Sequence, residues 1–587
     1  MKSFLKYTFA TIVGVLISSL ILFFIFIAVI SAIIASGEKD VSMKPNSILQ
    51  IQLDKPIPDR SSTNPFANFD FKNFRPTTTL GLKDIINNIH HAKTDPNIKG
   101  IYLDLGLIFT GWGTIEEIRN ALLDFKSSKK FIISYADYYT QGSYYLASVS
   151  DSIFLNPQGG MIFLGLRAEL MFYKGTFEKL NIEPEIIRHG KFKSAVEPYT
   201  NDRMSDENRQ QLNGLLSAIW GHVLDGISKQ RKIEVKELNR LADEMAISNA
   251  RSAIENKLID GVRYKDEILA RLTKLSGVVS EKKLELVSLN KYNKAFKPKK
   301  AVSKDKIALV YASGEINMGE GDEETIGAEG LSKAIREARK DSSIKAIVLR
   351  INSPGGSALA SDIIWRELDL AAKTKPLIVS MGSVAASGGY YIAAPAHIIL
   401  ADPTTITGSI GVFGMLFNAQ NFFKNKLGIT TDVAQTNKHG DLGSIFRPLT
   451  AEERAFIQSE VENTYNVFLT RVSKGRGISK EKVDSIGQGR VWSAQDALKL
   501  GLVNMIGGVD KAIEIASKKA HLKDYSIVEL PKLEAPLSSF LSGFSTKIRS
   551  NIIKSELGNE QAIYLAIKKM LNTQGMQTRM PYEIDIY

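Results

Sequence analysis

The chain contains no cysteine. Disulfides, thiol nucleophiles and cysteine metal sites are therefore excluded. It has neither a P-loop nor a dinucleotide-binding fingerprint. Acidic side chains are the minority charge: 63 Asp and Glu stand against 75 Lys and Arg, for a net charge of +12. No interleaved basic and aromatic stripe accompanies that surplus. Nucleic acid is thus not an expected partner, and an anionic membrane surface explains the charge better. The seven histidines include the adjacent pair His90-His91, which lacks metal-ligand spacing with carboxylates. No metal and no cofactor are expected.

Charge is missing altogether from Tyr7 to Ala35. At about 1.5 Å per helical residue, this run exceeds the ~30 Å hydrocarbon core of a bilayer. It also exceeds the ~7–15 residues of a secretory h-region. An uncleaved signal anchor is expected, although Ala35-Ser36-Gly37 has a weak cleavage-like pattern. Lys2 and Lys6 precede the run and place the N-terminus in the cytoplasm. The rest of the chain then lies outside it.

Beyond a polar linker, Ser47 to Leu53 alternates like a strand. Asn64 to Thr79 reads as an exposed loop. Leu82 to Ala92 has helical periodicity, Ile98 to Leu105 reads as a buried strand, Thr114 to Phe125 as a helix and Phe131 to Tyr135 as a strand. This alternation predicts an α/β fold with a mainly parallel sheet.

The second half repeats the first. Ile98-Lys99 recurs as Ile344-Lys345, a shift of 246 residues. Gly142-x-Tyr144-Tyr145-x-Ala147 recurs at the same shift as Gly388-x-Tyr390-Tyr391-x-Ala393, and Asn156-Pro157 as Asp402-Pro403. Ala250-x-x-Ala253 with Leu258-Ile259 recurs as Ala494-x-x-Ala497 with Leu502-Val503, shifted by 244. Two copies of one α/β unit are implied, joined by the basic run Lys291 to Lys306.

The copies differ where chemistry would sit. The second has Ala386-Ser387-Gly388-Gly389 between an apolar strand (Pro376 to Met381) and a helix. A serine on such a turn has its hydroxyl at a helix N-terminus, where free N–H groups favour developing negative charge. Asn352-Ser353-Pro354-Gly355-Gly356 forms a second glycine turn, after the strand Ala346 to Ile351. Together the turns could aim donors at one point as an oxyanion hole. The first copy has Gln141 in place of Ser387, and Phe109-Thr110 in place of Gly355-Gly356. It carries instead Gly190-Lys191-Phe192-Lys193-Ser194-Ala195. The second copy's matching region, Lys438 to Ser444, has no lysine at the Lys193 position. One copy is expected to hold a nucleophile and the other a base.

These motifs, with Thr407-Gly408-Ser409-Ile410-Gly411 and Lys193-Ser194-Ala195-Val196-Glu197-Pro198, resemble those of signal peptide peptidase A (protease IV) in its duplicated, membrane-anchored bacterial form. The resemblance covers nearly the whole chain and implies tandem ClpP/crotonase-like units. It implies a Ser–Lys dyad with Ser387 as nucleophile and Lys193 as general base, with Ser409 positioning the lysine. Gly388, Gly355 and Gly356 would hold the oxyanion. It further implies homo-oligomers on the inner (cytoplasmic) membrane that face the periplasm and hydrolyse remnant signal peptides and other unfolded hydrophobic peptides.

Elementary chemistry is compatible with those roles. A serine hydroxyl needs a base within hydrogen-bond reach. A lysine can serve only when neutral, and burial favours the neutral form. Lys193 lies among Phe192, Ala195 and Val196, whereas Lys191 is the expected surface charge. A Ser-His-Asp triad is disfavoured. Ala385 replaces the first glycine of a G-x-S-x-G elbow, and neither His189 nor His439 has an obvious acidic orienter. Alternative functions are a crotonase-type acyl-CoA enzyme and a non-catalytic membrane scaffold. The expected organisation is an anchor and linker over 1–46, a first repeat with the lysine over 47–290, and a basic linker over 291–305. A second repeat with the serine follows over 306–535, then a C-terminal helix (Ala562 to Leu571) and a polar, loosely held tail over 536–587.

Overall fold

Two mainly parallel sheets, one per copy, organise the computed structural model, which describes residues 2–36, 42–62, 69–70, 75–76, 79–296, 303–533 and 575–580. In the first copy the strands lie in the order Gly261–Val262, Ser152–Met161, Phe131–Tyr139, Ile98–Leu105, Ser47–Ile51, Leu286–Ser288, and every pairing is parallel. The second repeats the central part with Leu377–Ala386, Ile344–Ser353, Lys306–Ser313 and Ser526–Leu530, also parallel. Helices cover the faces, so central strands are buried on both sides and read as unbroken apolar runs. Ile347, Val348 and Leu349 are all fully buried.

Element boundaries follow local chemistry. The first predicted strand ends at Ile51 rather than Leu53. The helix expected from Thr114 starts at Trp112, behind an extended Gly111. The strand expected to stop at Tyr135 runs on to Tyr139, with a register shift between Ala136 and Tyr138. The strand before Ser387 runs through Ala386, so the serine stands directly between strand and helix.

A third sheet takes strands from both copies. Its order is Thr325–Gly327, Glu315–Asn317, Gly355–Ser357, Gly575–Arg579, Phe413–Asn418, Glu183–Arg188. Glu183–Arg188 of the first copy runs antiparallel to Phe413–Asn418 of the second. Of the C-terminal tail expected to be loosely held, the stretch 575–580 is described, and there the expectation is corrected. Residues Gly575–Arg579 form a strand that pairs antiparallel with both Gly355–Ser357 and Phe413–Met415. The helix read over Ala562 to Leu571 lies outside the described residues. So do 297–302 of the basic join and most of the 64–79 loop, of which Phe69–Asp70 and Arg75–Pro76 pair antiparallel.

The copies also meet through buried charge. Arg350, on the central strand of the second copy, pairs with Asp59 at 2.7 Å and Glu117 at 2.6 Å, both from the first. Glu117 also accepts the Val509 N–H at 2.7 Å. Burial, and then the neighbouring Glu117, push the Asp402 carboxyl well above the usual carboxylate range.

The N-terminal segment forms one helix, Lys2–Ser36. Most of its described apolar side chains, among them Phe9, Leu16, Leu20 and Phe24, are exposed. Among the described residues no helix is long and apolar enough to cross a membrane.

Candidate active site

Ser387 sits at φ +54° and ψ −114°, a conformation that a non-glycine residue rarely adopts. The surroundings fix it there. Its N–H donates to Gly408 O at 2.8 Å, and its carbonyl accepts the Tyr391 N–H at 2.8 Å to start the helix Gly388–Ala393. Strand Ile406–Gly408 supports the turn by pairing with Val384–Ala386. Strained backbone held by such over-determined contacts is typical of working residues. The matching Gln141 lacks the positive φ. Its side-chain oxygen instead accepts the N–H groups of Leu164 and Gly165, at 2.9 and 2.7 Å. The first copy therefore closes at this point.

Lys193 comes to Ser387 from the first copy. It precedes a short turn, Ser194–Val196, that leads into Glu197–Thr200. The loop is clipped to the second copy by His189 N–H to Val412 O at 3.1 Å and Phe192 N–H to Gln488 O at 3.0 Å. Lys193 is wholly buried. Its Nζ lies 2.8 Å from Ser387 Oγ, 3.1 Å from Ser409 Oγ and 3.3 Å from Ser409 O. Loss of hydration holds the Lys193 ammonium well below the usual lysine range. No carboxylate contributes to that shift, so the neutral amine is favoured. Lys191 is exposed and stands over the Phe192 ring at 5.2 Å.

Gly489 makes room for the lysine. It has φ +80°, and a Cβ there would lie 2.6 Å from the Lys193 backbone. Ser409, itself at φ +51°, is held by its N–H to Arg490 O at 2.7 Å.

Gly388 opens its helix, so its N–H has no helical acceptor. Gly355 is its neighbour: a Cβ on Gly355 would lie 2.7 Å from Gly388 N. The Gly355 N–H donates to Ser353 Oγ at 3.1 Å, which shapes the turn. Gly356 lies against Ile316, whose carbonyl a Cβ would meet at 2.1 Å. The turns thus converge beside Ser387. They converge on Thr578 as well, which sequence reasoning missed because nothing local marks a polar tail as a strand.

The histidine reading needs a correction. His189 Nδ1 lies 2.7 Å from Glu462, and His439 Nδ1 lies 3.0 Å from Glu453, so each has an acidic partner. Both carboxylates belong to the helix Ala451–Arg476; Glu462 is far from His189 in sequence, and Glu453 follows His439 across a loop with no helical spacing to mark the pair. Ser387 Oγ meets Lys193 instead.

A serine on a strained strand-to-helix turn, with a buried amine in hydrogen-bond reach and glycine turns alongside, is built for acyl transfer through a serine. The comparisons agree. The chain matches Peptidase family S49 over residues 124–279 and 369–523, once in each copy. It is 35% identical to "Serine protease SPPA, chloroplastic" of Arabidopsis thaliana over 85% of this chain and 74% of that protein. It is 35% identical to "Protease 4" of Haemophilus influenzae over 87% of this chain and 85% of that protein. "Protease 4" of Salmonella typhi is 36% identical over 76% and 73%. The chain belongs to peptidase family S49, in its duplicated signal peptide peptidase A (protease IV) form. It is a serine protease, and the acyl-CoA and scaffold readings fall away.

Proposed function

We propose that the chain is a membrane-anchored endopeptidase that uses a Ser387–Lys193 dyad on remnant signal peptides and other unfolded hydrophobic peptides. The observation that carries this reading is the 2.8 Å contact between a buried, preferentially neutral Lys193 Nζ and Ser387 Oγ. Lys193 takes the hydroxyl proton as Oγ attacks the peptide carbonyl. It then returns the proton to the leaving amine, and water hydrolyses the acyl-enzyme. Ser409 keeps the amine aimed at Oγ. The Gly388 N–H and the Gly355-Gly356 turn stabilise the oxyanion, each lost donor costing about 3 kcal/mol. The units 47–290 and 306–535 divide the work, with the lysine from one and the serine from the other.

The uncharged run Tyr7 to Ala35, its helix and its exposed apolar side chains support an anchor in a bacterial inner membrane, with the site facing the periplasm. Exposed apolar side chains on the second copy, such as Leu427, Ile429 and Val433, support a homo-oligomer. Peptide substrates follow from the family. The names "Protease 4" and "Putative signal peptide peptidase SppA", the latter from Enterococcus faecium at 32% identity over 33% of this chain, point to the substrate class.

The deciding experiment is cleavage of apolar peptides by wild type, Ser387→Ala and Lys193→Ala. Wild type should cleave, and both variants should be inactive with unchanged circular dichroism. Cleavage by Ser387→Ala would overturn the dyad. Flotation with anionic vesicles, lost on deletion of residues 1–46, tests the anchor.

A further inference from the structure

The slot beside Ser387 is filled by the chain's own strand, and that strand has side chains to be read. Gly355–Ser357 forms one edge of the slot and Phe413–Met415 the other, and Gly575–Arg579 runs antiparallel to both. The Met580 N–H continues the pairing to Pro354 O at 2.7 Å, and Thr578 Oγ1 donates to Gly356 O at 3.2 Å. Two edges satisfied by one inserted strand are a peptide-binding geometry. Main-chain bonds supply affinity, and side-chain contacts supply selection.

The register is set at the glycines. A Cβ on Gly355 would lie 2.1 Å from Thr578 O, and one on Gly388 3.0 Å from the same atom. The Thr578 carbonyl therefore stands at the reactive turns. Its small side chain is fully buried near Ser361. The next residue, Arg579, is partly exposed, and its guanidinium meets Glu315 at 3.1 Å. Glu315 belongs to the strand Glu315–Asn317, which pairs with Gly355–Ser357 at Gly356. The carboxylate is thus carried by the slot's own sheet, one strand beyond the edge.

We propose that Glu315 is a specificity-determining residue that selects a cationic side chain directly after a small, buried one in the bound peptide. The inference rests on the peptidase reading above and names its substrate class more narrowly: extended apolar segments with a small–basic pair, as at the charged flank of a hydrophobic run. Both side chains of the pair are largely shielded, at 15% exposure for Arg579 and 28% for Glu315, so the contact discriminates more than an open surface pair would.

The test uses full-length Ser387→Ala protein and a fluorescent hexapeptide, Gly-Met-Gln-Thr-Xaa-Met, with Xaa as Arg, Gln or Glu. Binding is read by polarisation. The Arg peptide should bind about tenfold more tightly than the Glu peptide, in line with a charge-assisted hydrogen bond. Glu315→Gln should flatten the series, and Glu315→Lys should invert it. An unchanged order in all three proteins would overturn the proposal. If the tethered strand outcompetes every peptide, the same contact is read in cis. Arg579→Glu should then raise hydrolysis of an uncharged apolar peptide severalfold, and Glu315→Lys combined with it should restore the slower rate. Coupling below twofold would also sink the idea. Cleavage by Ser387→Ala would instead fault the catalytic reading and leave the Glu315 series standing.

Discussion

Replacing Lys193 with methionine isolates the energetic cost of a buried amine. Methionine is unbranched and of similar length, and it carries no proton to lose. Lys193 is wholly buried, and desolvation lowers its pKa from the ordinary value of about 10.4. The sign follows from proton counting. Below the lowered folded value both states hold the proton, and the whole cost of burial is present. Between that value and about 10.4 the unfolded chain holds one proton more, so stability rises with pH by up to about 1.4 kcal/mol per unit. Above about 10.4 the contribution is flat. Denaturant midpoints of Ser387→Ala and of Ser387→Ala with Lys193→Met, which cannot digest themselves, are compared between about pH 8 and about pH 10. Over the part of that span above the lowered folded value, the lysine protein should gain on the methionine protein, at no more than about 1.4 kcal/mol per unit of pH. Parallel curves would mean that Lys193 titrates alike in both states, and the neutral-base argument would fail.

Four further outcomes are expected. The kcat/KM for an apolar peptide should rise with pH as Lys193 loses its proton and level off below the ordinary lysine range; an acid-side optimum would contradict this. Gly489→Ala places a Cβ 2.6 Å from the Lys193 backbone at φ +80°, so kcat should fall about a hundredfold, as for an ångström-scale misplacement of a reacting group. Circular dichroism should show the fold of that variant retained. Arg350→Met leaves Asp59 and Glu117 without their buried partner and should lower stability by about 3–5 kcal/mol in thermal or denaturant melts. Adding Gln141→Ser to Ser387→Ala should restore no cleavage, because the first copy has Phe109-Thr110 where the glycine turn would be.

The sequence was most legible where a residue's environment is set by its neighbours. The strand Ile98–Leu105 and the helix Leu82–Thr94 declare themselves by local periodicity. The duplication shows in a near-constant shift because both central sheets pair strands in the same parallel order. Ser387 and Lys193 were singled out because the copies differ at those positions. The third sheet was hidden. Pairing of Glu183–Arg188 with Phe413–Asn418 spans more than two hundred residues and leaves no periodic trace. Gly575–Arg579 is polar and contains glycine, a poor strand by composition, and the two waiting edges override that propensity. The Glu462 carboxylate facing His189 was missed for the same reason, since a helix from elsewhere in the chain supplies it, whereas Glu453 lies just beyond the loop that follows His439 and no regular spacing marks the pair.

Lys193 and Ser387 lie 194 residues apart in the chain. The ribosome therefore releases the amine long before the hydroxyl, and a half-made chain holds no finished site. A chain made or folded only as far as its first copy would hold one member of the proposed dyad and not the other. Separation also binds the fates of the two copies. A duplication that began with two complete sites, once it lost the serine from one and the lysine from the other, could no longer shed either half.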